Sequence, residues 1–223
     1  MDSFGNKIKP EQLKDLLNKN DPIILEIGCN DGDDTEVFAR TFPGGVIHCF
    51  EPDPRPIRQF KQRLMGDVSI SLHEVAVADK PGMAKFWQSS GTTRGAHKQD
   101  WDLSGSLNKP TGHLKQSPWC KFRTSINVPV ITLDDFYKNH LEGKTIDLVW
   151  MDVQGGEGNV ISGGRRAIHS TRFIYSEFGH WKEPLYDGQM NLEQTISFLG
   201  ANWEALATFE GYNVLLKNKR LAG

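Results

Sequence analysis

Two short apolar runs, Ile23–Ile27 and Val46–Phe50, are separated by a turn holding Gly28 and Gly32 and by a segment with Val37, Phe38 and Phe42 at helical spacing. Strand, glycine turn, helix and strand in that order make a βαβ unit, whose parallel strands need a crossover and whose helix covers a sheet face. The rhythm continues with Ile57, Phe60 and Leu64 as a second helical stripe, and with further runs at Ser69–Val77, Ile146–Val153 and Arg172–Phe178. The last two runs, Trp203–Phe209 and Tyr212–Leu216, are joined only by Glu210 and Gly211, too few residues for a crossover, so they form an antiparallel hairpin. The expected fold is α/β, a mostly parallel sheet that ends in an antiparallel hairpin.

A leading amphipathic helix over about residues 9–20 is predicted from Leu13, Leu16 and Leu17. With 223 residues, 38% of them hydrophobic, the chain suits one domain over 1–223. A net charge of -2 excludes a bulk field that gathers nucleic acid or anionic membrane. Three cysteines, Cys29, Cys49 and Cys120, without paired metal spacing fit reduced thiols, and the N-terminus lacks a signal-peptide core; both point to a cytoplasmic protein. Composition leaves the oligomeric state open. One stretch, about 88–123, has no periodicity, and a loop of that length in a compact domain is expected to be a functional lid. Its Arg94, Lys98, Lys109, Lys115, Lys121 and Arg123 exceed Asp100 and Asp102 by four charges, and Trp101 and Trp119 add flat aromatic faces. These groups suit a sugar or another polar acceptor.

The turn itself reads Gly28-Cys29-Asn30-Asp31-Gly32, followed by Asp33 and Asp34. A dinucleotide would want a second glycine at Asn30 and would place its pyrophosphate beside three carboxylates. Such like-charge pairs cost about 1–4 kcal/mol at a few ångströms, depending on the local dielectric. A cationic ligand reverses that sign, although Asp33 and Asp34 equally suit the first turn of a helix. Glu51, at the carboxyl end of the second run, is placed to accept hydrogen bonds from ribose hydroxyls. Ala76 and Val77 leave room for a flat ring or are plain core, and Asp152 ends a buried run on the side of Gly28. Glu157 is read as the opening residue of the next helix, where its charge suits the dipole.

The ordered set EIGCNDGDDT, CFEPDP, EVAVADKPG, VITLDDF, IDLVWMDVQGGE and IYSEFG resembles the FkbM-type S-adenosylmethionine-dependent methyltransferases from Ile23 to about Phe178. The resemblance implies a class I methyltransferase (Rossmann-like) fold of seven strands with helices on both faces, and methyl transfer to a hydroxyl of a sugar or other natural product. It implies that Glu26, Gly28, Asn30 and Gly32 form the methionine side of the cofactor site, that Glu51 holds the ribose, and that Asp152 borders the methyl group. Cys29, Asp31, Thr35, Pro52 and Ala76 complete the candidate cofactor set. Where the family often carries Lys-Ile-Asp-Val-Glu-Gly-Ala-Glu, this chain has Trp150, Gln154 and Gly156 in place of the lysine, a glutamate and the alanine, which points to a different acceptor.

An activated methyl needs alignment and a base. The candidate catalytic residues are Asp152, Glu177 and His180, of which histidine titrates nearest neutrality. Mg²⁺ held by Asp152 and Glu177 is the less favoured reading. An NAD-dependent oxidoreductase and a non-catalytic cofactor-binding module are the alternatives.

Overall fold

The computed structural model describes residues 2–4, 7–64, 66–91, 101–179, 183–209 and 212–222. In chain order the strands are β1 (Asp2–Phe4), β2 (Ile23–Ile27), β3 (Val46–Phe50), β4 (Ile70–His73), β5 (Ala76–Val77), β6 (Gly82–Ser90), β7 (Lys121–Ile131), β8 (Ile146–Met151), β9 (Thr171–Glu177), β10 (Trp203–Phe209) and β11 (Asn213–Asn218). The helices are α1 (Pro10–Leu17), α2 (Asp33–Thr41), α3 (Pro54–Leu64), α4 (His113–Gln116), α5 (Leu133–Phe136), α6 (Glu157–Ser162), α7 (Arg165–His169) and α8 (Leu192–Leu199), with a π-helical turn at Tyr137–Leu141. No helix among the described residues is long and apolar enough to cross a membrane.

The main sheet has the order β1-β10-β11-β9-β8-β2-β3-β4. Seven of these strands are the expected ones, and β10 and β11 pair antiparallel as the short connection requires. The eighth, β1, adds itself parallel to β10 at the edge. The central strands are buried on both faces because period-2 alternation sends neighbouring residues into two different cores. Leu25 and Ile27 join Val149, Met151, Ile174 and residues of α5 to α8. Ile24, Leu148, Trp150 and Tyr175 join Leu13 and Leu17 of α1, Phe38 of α2 and Phe60 of α3. Helices thus cover both faces.

Two expectations change. The run Ser69–Val77 is not one strand: it breaks after His73, and β5 leaves for a second sheet of order β5-β7-β6. The long stretch expected to lack regular structure begins and ends as strand, since β6 runs to Ser90 and β7 starts at Lys121. The two pair antiparallel along most of their length. β7 hides from a pattern reading because Arg123, Thr124 and Ser125 are exposed and polar. Between them, 92–100 lies outside the described residues, including Arg94, Lys98 and Asp100; so do the hairpin residues Glu210 and Gly211.

After β2 the chain crosses to β3 and β4 on one side, while β8 and β9 lie on the other. A crevice opens at such a reversal, beyond the carboxyl ends of the strands. Behind β3, away from the crevice mouth, His48 Nδ1 and His73 Nε2 lie 3.3 Å apart. His73 stacks on Phe50 at 4.8 Å, and His140 stacks on Phe136. Burial, then the His73 and His140 rings, pushes the His48 pKa down to about 4.

A depressed histidine pKa means that the unfolded chain takes up its proton first as acid is added, so stability is lost as pH falls from about 6.5 toward 4. Because His48 is only half-buried, the expected loss is about 1 kcal/mol, or roughly 2–4 °C in melting temperature. Melting curves between pH 7 and 4 should show a His48→Gln variant losing less stability than the parent chain; parallel curves would contradict the assignment.

Candidate active site

One cavity lies over the carboxyl ends of β2, β3 and β8. It is lined there by Ile27, Gly28 and Asn30, by Phe50, Glu51 and Pro52, and by Asp152 and Gln154. The turn after β2 is built for close approach. Gly28 has φ of +88°, and a Cβ on it would lie 2.0 Å from the Asp152 carbonyl oxygen, so only glycine lets β2 end against β8. Gly32, also at φ of +88°, begins α2 against Phe60 and Leu64 of α3 and lies behind the cavity wall.

Glu51 is buried, and its two carboxylate oxygens accept hydrogen bonds from the backbone N–H groups of Asn30 (3.1 Å) and Asp53 (2.8 Å). Burial pushes its pKa up to about 8, against those two hydrogen bonds. Behind it, Arg55 chelates Asp53 and donates to the Ser89 carbonyl, tying the strand end to β6. Beside Glu51 the lining turns apolar, with Val75, Ala76, Val77, Phe86, Leu103 and Leu107, and Asp102 at its edge. An acid with free lone pairs beside an apolar slot fits a ribose and its flat base. A nucleoside methyl donor would therefore be held by Glu51 and this slot, with its amino-acid end toward Gly28 and Asn30.

The candidate residues divide into two groups. Gly28, Asn30, Glu51, Pro52, Ala76 and Asp152 line the cavity, whereas Glu26, Cys29, Asp31, Gly32 and Thr35 do not. Glu26 is buried under the turn, where Thr35 Oγ1 donates to its Oε2 at 2.5 Å, pinning α2 to β2; burial holds its pKa well above the usual range. Cys29 is buried and donates its N–H to the Phe50 carbonyl. The acids of the turn face outward: Arg63 of α3 pairs with Asp31, Asp33 and Glu36, and Lys7 pairs with Asp34. The acidic turn that suggested a cationic ligand is thus largely neutralised, by Arg63 from α3 and by Lys7 at the cavity edge, and among the described residues the carboxylates that line the first cavity are Glu51, Asp102 and Asp152.

A second cavity adjoins the first and shares Lys7, Asp152 and Gln154 with it; Trp150, Met151, Tyr175, Glu177, Tyr212 and Asn213 complete its lining. Here the Gln154 amide nitrogen donates to Asp152 Oδ1 (2.6 Å) and to Glu177 Oε2 (2.9 Å). Its amide oxygen accepts from the buried Tyr186 hydroxyl at 3.0 Å. Gln154 holds this position at φ of +52°, a conformation uncommon for a side-chain-bearing residue. Burial raises the pKa of both acids, and beside it Asp152 raises Glu177. Asp152 is exposed to the cavities it lines, so water screens part of that cost. Buried Glu157, with its pKa pushed up to about 7, accepts from the N–H groups of Val153 and Gly155 and so fixes the turn after β8. That role goes beyond the helix-opening charge read from the sequence. Among the described residues no cluster of three or more His, Cys, Asp or Glu is arranged to hold a metal ion. His180 lies outside the described residues.

Sequence reasoning missed Lys7 and Tyr186 and counted Asp102 only among the charges of the lid; none of the three belongs to a periodic run. The described part of the proposed lid, 101–123, reaches the first cavity through Asp102, Leu103, Gly105 and Leu107 and contributes nothing to the lining of the second.

Residues 26–212 match the Methyltransferase FkbM domain. The chain is 40% identical over 214 residues to the 2-O-methyltransferase NoeI of Sinorhizobium fredii, covering 94% of this chain and 85% of that one. Two solved structures share the fold alone. One is a Klebsiella pneumoniae protein assigned as an O-methyltransferase, with a TM-score of 0.51, 15% identity, and 94% and 77% of the two chains covered. The other is a Clostridium thermocellum protein assigned as an rRNA methylase, with a TM-score of 0.50, 10% identity, and 94% and 95% covered.

Glu51 predicts a pH dependence. Only its ionised form accepts from two ribose hydroxyls, so nucleoside affinity should rise with pH up to about 8 and then level, by up to roughly tenfold per unit. Calorimetry with S-adenosylhomocysteine from pH 6 to 9 should show this rise in the parent chain and a weaker, flatter profile in Glu51→Gln. Equal profiles would remove Glu51 from the ribose site.

Proposed function

This chain belongs to the FkbM family of methyltransferases, and on that premise we propose that it methylates a hydroxyl of a sugar or another polar small molecule, with Asp152 receiving the hydroxyl proton. The observation that carries this reading is that two cavities meet at Asp152 and Gln154. The activity named for the Sinorhizobium fredii relative, 2-O-methyl transfer, supports a hydroxyl acceptor.

S-adenosylmethionine, when bound, supplies a sulfonium methyl that is already activated for transfer. The protein's task is then alignment and proton removal. Gly28 and Glu51 fix the donor's position relative to Asp152, which is open to both cavities. In the second cavity an acceptor hydroxyl would meet Asp152 from the side of Glu177. Glu177 lowers the pKa of Asp152 while Asp152 raises that of Glu177, so the pair favours ionised Asp152 beside protonated Glu177. Asp152 is therefore the base that takes the hydroxyl proton, and Glu177, already protonated, stays neutral beside it. The Gln154 amide donates to both, which holds the pair in register without adding a third acid. A glutamate there would place three carboxylates together, and one of them would have to stay protonated.

Labelled S-adenosylmethionine offered with sugars and polyols carrying a free 2-hydroxyl tests the acceptor class; label reaching amines or thiols instead would overturn it. With an acceptor in hand and donor saturating, Asp152→Asn should lower kcat by about 10²- to 10⁴-fold, and near-normal turnover would place the base elsewhere. Gln154→Glu should lower kcat at neutral pH and move the rising limb of the pH profile upward. An unshifted profile would separate Gln154 from the proton-transfer step.

A further inference from the structure

We propose that Lys7 holds the α-carboxylate of the methyl donor, an inference that rests on the reading of the first cavity as the donor site. S-adenosylmethionine carries a carboxylate as well as its two cationic groups, and the lining of the first cavity contains the acids Glu51, Asp102 and Asp152. Lys7 is the cation among the described residues that line it, and it also lines the second cavity beside Asp152. Its ammonium is thus placed where the two cavities meet beside Asp152, the end toward which the donor's amino-acid part would point.

Class I folds can bind an anion on the backbone amides of a glycine turn or helix start, but here the amides of the turn residues that line the cavity, Gly28 and Asn30, are occupied. Gly28 N donates to the Phe50 carbonyl at 2.8 Å and Cys29 N to the same oxygen at 3.1 Å. Gly32 N donates to the Cys29 carbonyl at 2.9 Å. Asn30 N donates to Glu51. Across the cavity, Asp152 N donates to the Ile27 carbonyl and Gly156 N to the Val153 carbonyl, while Val153 N and Gly155 N serve Glu157. A carboxylate entering beside these occupied amides meets Lys7, the cation of the described lining.

Lys7 is placed to hold that carboxylate. Its Nζ pairs with Asp34 at 2.8 Å and lies 5.9 Å from the Trp150 ring centroid. The Asp34 pair is at the surface, with Lys7 about half exposed, so it holds the ammonium weakly and can be exchanged for a ligand carboxylate. Burial lowers the pKa of Lys7, but Asp34, Asp152 and Glu26 outweigh that and raise it, so the group is charged at neutral pH.

The test compares S-adenosylmethionine with its decarboxylated analogue, which keeps the sulfonium and amine and lacks the carboxylate, by calorimetry on the full chain. Lys7→Met should weaken S-adenosylmethionine by 10- to 100-fold and change the analogue less than twofold; Lys7→Arg should restore most of the loss. Asp34→Asn, which removes the competing carboxylate, should tighten S-adenosylmethionine in the parent background. Equal weakening of both ligands in Lys7→Met, or no change in either, would overturn the assignment. A parent chain that binds neither ligand would overturn the donor-site reading itself, and the assignment with it.

Discussion

The contact on which the site depends is between Gly28 and the backbone of Asp152. Because Gly28 has no Cβ, β2 and β8 end within van der Waals reach of each other, and the Asp152 N–H extends the ladder by donating to the Ile27 carbonyl at 3.0 Å. That continuation carries Asp152 past the sheet and into the crevice, across from Glu51 at the end of β3. A methyl group at position 28 would force the strand ends apart, and displacements near 1 Å at a reacting centre are enough to cost about 10²-fold in rate. Glycine here sets the distance between the two halves of the site.

Around that contact the protein sorts its carboxylates by burial. Those of the turn and the first turn of α2 lie at or near the surface and are paired with Arg63 or Lys7. Glu26, Glu51, Glu157 and Glu177 are withdrawn from water, and burial raises each. Raised pKa values bring the proton chemistry of Glu51 and Glu157 toward neutral pH, where a group can both take and release a proton. The amide of Gln154 lets Asp152 and Glu177 share one region without a third acid.

Much of this was legible in the residues. Ile23–Ile27 and Val46–Phe50 are strands with the boundaries read from their apolar runs, and the span read as a leading helix contains α1, because buried periodicity survives translation into structure. The second sheet was not legible, since β7 keeps several polar exposed residues and β6 has no clean alternation. Charge misled in an instructive way: Asp31, Asp33 and Asp34 announce the sign of the turn but not their partners, since Arg63 reaches Asp31 and Asp33 from α3 and Lys7 reaches Asp34. Gln154 stood out as a departure from the family pattern, but its two carboxylate partners come from different strand ends that only the fold brings together. Lys7 carried no signal, because it precedes every periodic segment.

The most direct test of the whole arrangement is a crystal structure of the chain with S-adenosylhomocysteine. It should show both ribose hydroxyls on the Glu51 carboxylate, the base in the slot between Val77 and Leu107, and the sulfur turned toward Asp152 at the junction of the two cavities. A nucleoside whose ribose lies out of hydrogen-bonding reach of Glu51, or whose sulfur faces away from Asp152, would contradict it.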